Sequence, residues 1–166
     1  MTTKSVPLFR DTSTTPLIVA AVSLGLLTIA METVLHVPMK MPGHRALPGA
    51  LALLVFAQAF APLMMIALAG AVSSILVLMG HGDPISIGVW MVAAVVIWRM
   101  SGTKLERSVI FFLLGGLLFG LLRYLSTVKG FHHTPEMIRL GGHLGFGTAG
   151  GLVSYGITQV FGGKRR

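Results

Sequence analysis

Cysteine is absent from all 166 residues, which excludes disulfides, iron–sulfur clusters and thiolate chemistry. Acidic charge is scarce, with five Asp and Glu residues in total, and charged residues of either sign make up 11% of the chain. A soluble globule carries about 25%, so this chain could not clothe its own surface against water. Signature loops are missing too. Gly163-Lys164 is followed by Arg165, and Thr158 stands where a phosphate-cradling loop needs its first glycine, so the chain cannot power transport with ATP by itself. No HExxH, no nucleophile elbow and no paired carboxylates within an apolar stretch occur. No enzyme is expected.

What is present is apolar length. Apolar residues make up 54% of the chain and the mean hydropathy is +0.83, which makes lipid the fitting solvent. The net charge of +8 does not point to nucleic acid. The basic residues lie between and beyond the apolar runs, where anionic headgroups and the positive-inside rule favour them. The polar stretch 1–15, with Lys4 and Arg10, also resembles the start of a signal peptide. A retained first span suits it better, because further apolar segments follow.

The predicted spans are residues 16–36, 46–61, 62–79, 85–100, 109–125 and 140–161. The second and third come from one uncharged run of 34 residues, 46–79. As a single helix it would reach about 51 Å, against a hydrocarbon core of about 30 Å. Pro62 at its middle lacks the amide proton of a continuous helix, so the run divides there. A single kinked, tilted helix is the alternative. Trp90 and Trp98 are expected towards the two ends of the fourth span, at the interface. The reading is an all-α integral membrane protein, a bundle of six short transmembrane helices with both termini cytoplasmic. Its segments are a tail over 1–15, a membrane domain over 16–161 and a basic tail over 162–166. Six spans place eight Lys and Arg residues on the inner side and five on the outer. Five spans give the same tally with the first terminus outside.

Six spans also gather all six histidines at or near the outer face. They either form a shared site or simply collect in loops. His44, Arg45, His81, Asp83, Arg123, His132 and His133 are the candidate ligand contacts, and Lys129 and Arg139 are further donors for an anion. Glu32 lies four residues before His36, at a spacing that allows contact; it is either a structural partner or a ligand contact. The histidines could instead converge on a metal or haem, though no spacing among them is a metal motif. Small residues four apart occur at Ala21 and Gly25, Ala67 and Ala71, Gly116 and Gly120, Gly141 and Gly145, and Gly147 and Gly151, a spacing that lets helix backbones approach.

In its size, its six short unequal spans and its cytoplasmic termini the chain resembles the substrate-binding S component of energy-coupling factor (ECF) transporters. The resemblance implies a plasma-membrane protein that captures a small nutrient at the outer face, whether a vitamin, a cofactor precursor or a metal-related solute. The loops after the first, third and fifth helices would enclose it, here 37–45, 80–84 and 126–139. It also implies a transmembrane coupling subunit with two ATPase subunits as partners. Ala21 and Gly25 would then form the docking face, with glycine where the family often has a second alanine. Thr2 stands where cobalt and nickel members carry a metal-binding histidine, so their metal site cannot be carried over. A histidine-ligated haem or metal protein, or a structural membrane protein without a ligand, remain the other readings.

Overall fold

The structure, a computed structural model, describes residues 15–33, 41–81, 83–101, 105–106, 108–127 and 136–162. Most of the two expected tails lies outside these. Six α-helices and no strands occur among the described residues: α1 (Thr15–Thr33), α2 (Ala46–Ala59), α3 (Pro62–Leu78), α4 (Ile85–Ser101), α5 (Val109–Thr127) and α6 (Glu136–Phe161). Two of them, α1 and α5, are long and apolar enough to cross a membrane.

The uncharged run divides at its proline. Phe60 closes α2 in an extended conformation, with its N–H donating to Phe56 O at 2.9 Å, and Ala61 is extended as well. Proline drives the residue before it out of the helical region. Its own fixed φ, and the amide it lacks, suit the first position of the next helix. Pro62 takes that position.

Helix α2 is the axle of the bundle. It packs against all five other helices, and nearly every residue from Ala46 to Ala59 is buried. Its 14 residues span about 21 Å. The other five helices each turn large apolar side chains outward, among them Leu26, Leu63, Val92, Leu121 and Val153. An apolar exterior around an apolar interior is the arrangement that lipid, not water, solvates.

Glycine sets the tightest joint. On α5, a Cβ at Gly116 would strike the carbonyl of Gly147, and one at Gly120 the carbonyl of His143. On α6, a Cβ at Gly147 would strike Gly116 and one at Gly151 the carbonyl of Phe112. The two backbones therefore touch along two turns. Gly141 and Gly145, on the opposite face of α6, are exposed and meet nothing within 4 Å.

Two expectations are corrected. Ala21 is 0% exposed, and a Cβ on buried Gly25 would lie 3.1 Å from Phe56 and 3.8 Å from Val72. This pair packs α1 onto α2 and α3 inside the bundle and does not lie on its outer surface. Trp90 is buried, edge-on to Phe119 at 5.2 Å. It fills the interior instead of anchoring at an interface.

Candidate functional site

Polar side chains collect at one end of the bundle, where α1, α3 and α5 finish and α2, α4 and α6 begin. Local sequence builds each contribution. Gly43, at φ +85°, lies against the backbone of Gly142 and His143. A side chain at Gly142 would strike the carbonyl of Pro42. Pro42-Gly43 is thus seated on the first turns of α6, and the turn delivers His44 and Arg45 to the start of α2. The His44 ring is fixed by Nδ1–H, which donates to Met41 O at 2.8 Å.

The end of α3 follows from Gly80. At φ +78° it closes the helix with two reversed bonds, Gly80 N–H to Val77 O at 3.0 Å and His81 N–H to Leu76 O at 2.8 Å. This is the Schellman closure that glycine favours. It turns the His81 carbonyl to where it accepts from Arg45 Nη1 at 2.9 Å. Asp83 then starts α4: its Oδ1 accepts from Ile85 N–H at 2.8 Å, and its backbone carbonyl accepts from Ser86. One oxygen of Asp83, a candidate ligand contact, is thus engaged in capping.

Arg45 joins these parts. Its Nε lies 3.5 Å from Glu32 Oε2, while Nη1 reaches the turn after α3. One guanidinium therefore ties the last turn of α1, the start of α2 and the α3–α4 connection. Glu32 is 7% exposed and lies within electrostatic reach of Arg123 and His44 as well as Arg45. Arg123, partly buried, feels Glu32, Arg45 and Asp83 in turn.

The structure therefore brings together His44, Arg45, His81, Asp83 and Arg123. His132 and His133 lie outside the described residues. Arg139 is engaged elsewhere, its Nη2 donating to the carbonyl and to Oγ1 of Thr127, both at 3.0 Å. A cation there neutralises the carbonyl end of α5. Sequence reasoning left Glu32 undecided, placed His143 at the outer face without making it a ligand contact, and assigned Tyr124 no role. His143 is buried, donates from Nδ1 to Arg139 O at 2.9 Å, and packs edge-on to Tyr124 at 6.0 Å. The signal for it was available, since a histidine among the glycines of α6 sits where backbones are closest.

No protein-family model, curated protein or solved structure matches this chain. The site must be read from its chemistry alone. Among the described residues no group of three or more His, Asp or Glu side chains could hold a metal ion. What the cluster offers is hydrogen bonding and charge: guanidinium donors, a carboxylate and imidazole nitrogens at one end of an apolar bundle. That combination suits capture of a small polar molecule.

Proposed function

We propose that this chain is the substrate-binding membrane subunit of an ECF-type importer, six times membrane-spanning, with both termini cytoplasmic and its polar end outward in the plasma membrane. The observation that carries this reading is the Arg45 junction. It unites the connections after α1 and α3 beside Arg123 at the end of α5, in a bundle that turns large apolar side chains outward along its flanks. Buried polar groups are expensive beside lipid and are kept where they serve binding or passage. Helices α2, α3 and α4 are short for spans, but α2 is enclosed by protein and needs no lipid contact of its own.

In this reading a small nutrient is held at the outer end, and energy comes from a transmembrane coupling subunit with two ATPases. No catalytic step is assigned. Two small-residue pairs face outward, Gly141 and Gly145 near the start of α6 at the polar end and Ala67 and Ala71 along α3; we place the coupling contact on the α3 side of the bundle, away from the polar end.

Reporter fusions and copurification test this together. Fusions at residues 15 and 104 and at the last residue should report cytoplasm, and one at residue 129 the opposite side. Affinity-purified chain should bring down a coupling subunit and two ATPases. A last residue and residue 104 on opposite sides would overturn the topology. Purification of the chain alone under mild conditions, from cells in which it is functional, would overturn the transport assignment.

A further inference from the structure

At the polar end one acid is nearly enclosed, and one guanidinium is unpaired among the described residues. Glu32 is 7% exposed, and among the described residues its Oε2 makes no hydrogen bond, although Arg45 Nε is 3.5 Å away. The Arg123 guanidinium makes no hydrogen bond or ion pair among the described residues. The two lie within each other's electrostatic reach without pairing. A carboxylate can accept several hydrogen bonds and a guanidinium can donate five, so both are left well short of capacity in an expensive place.

The neighbouring imidazoles are held by the same kind of bond. A carbonyl oxygen has no proton to give, so His44 Nδ1 donates to Met41 and His143 Nδ1 donates to Arg139. Each neutral ring is therefore the Nδ1–H tautomer, with Nε2 left as an acceptor. Beside the Arg45 guanidinium, which faces Glu32 at 3.5 Å and is already committed to the His81 carbonyl, the site thus combines one uncommitted cationic donor, Arg123, with a carboxylate and two further acceptors. A simple anion would satisfy Arg123 and leave Glu32 short, while a simple cation would do the reverse.

We infer that the site binds a small molecule carrying both charges, an anionic group for Arg123 and, nearby, an ammonium or other N–H donor for Glu32. The inference deepens the solute-binding reading and rests on it. Water-soluble amino acids and aminobenzoates have this chemistry, and so does the headgroup of phosphatidylethanolamine.

The test uses the full chain in phospholipid-free detergent and follows thermal unfolding with matched probes at millimolar concentration. The soluble arm is a panel of amino carboxylates on aliphatic and aromatic frames, each beside its amine-free acid and its acid-free amine. Examples are β-alanine with propionate and ethylamine, and aminomethylbenzoate with toluate and benzylamine. The lipid arm compares phosphatidylethanolamine with phosphatidylglycerol. A rise in Tm confined to amino carboxylates is expected. Glu32→Gln and Arg123→Gln should each weaken that binding by about 10- to 100-fold, as loss of one buried hydrogen-bonding partner does. The selectivity series needs only the parent chain, so a variant that fails to fold does not blunt it. Stabilisation by an acid or an amine alone overturns the two-charge ligand and leaves solute binding standing. Stabilisation by phosphatidylethanolamine alone keeps the ligand chemistry and overturns the nutrient reading. No shift in either arm overturns both.

Discussion

The same substitution at two places on α6 should have opposite effects. Alanine is favoured over glycine in a helix by about 1 kcal/mol, and that gain applies equally at Gly147 and Gly141. At Gly141 the new methyl meets nothing within 4 Å, so Gly141→Ala should stabilise by up to about 1 kcal/mol. At Gly147 the methyl would strike the Gly116 carbonyl and lie 3.1 Å from both Cα and N of Gly120. These are backbone atoms with no rotamer by which to yield. The helices must part by roughly 1 Å, a gap that forfeits a quarter to a half of the dispersion energy across the seam. Overpacking of this kind costs about 1–3 kcal/mol, enough to outweigh the propensity gain. Gly147→Ala should therefore be destabilising, and Gly147→Leu more so. Unfolding by titration with a denaturing detergent in micelles, followed by circular dichroism, reads both signs in one series. A Gly147→Ala chain as stable as the parent would show that the α5 and α6 backbones do not touch.

Gly80→Ala should cost about 1–2 kcal/mol, because φ +78° is left-handed and an L side chain resists it. No clash contributes, since nothing lies within 4 Å, so Asn there should recover part of the loss in the same unfolding assay. Arg45→Ala should destabilise by about 1–3 kcal/mol, a range kept modest because the Arg45 side chain is 35% exposed. Adding Glu32→Gln should restore part of that loss, and strictly additive effects would show that the two do not interact. Ala21→Leu should lower thermal stability even in the isolated chain, because Ala21 is enclosed. Unchanged melting with lost association would return this residue to a docking face.

Helix number and the break at Pro62 were legible because proline acts locally, through φ and its missing amide. The starts and ends of the later helices were less so. Helix α6 begins at Glu136 and not at residue 140, since a helix can run past the apolar stretch into polar sequence. Facing was the least legible property. In water, polar residues mark the outer side of a helix, but here both sides are apolar, and spacing four apart describes a stripe without saying where it points. Gly147 and Gly151 turn inward while Gly141 and Gly145 turn outward on the same helix. Arg139 and Asp83 were legible as charges near the site, but their engagement with helix ends depended on which carbonyl or amide lay within reach.

Under the membrane topology proposed above, the enclosure of α2 also bears on how the chain would enter a bilayer. A segment of about 21 Å falls short of the hydrocarbon core, so it cannot settle there as an independent span during synthesis. Only two extended residues, Phe60 and Ala61, separate it from α3, and both are buried. The natural unit of insertion is therefore the α2–α3 hairpin. Even that unit stays incomplete until α5 and α6, further along the chain, arrive to cover α2. A ribosome that stalls after α4 would leave the central helix of the finished bundle lying open to lipid on the side those two helices close, with every later contact still to be made.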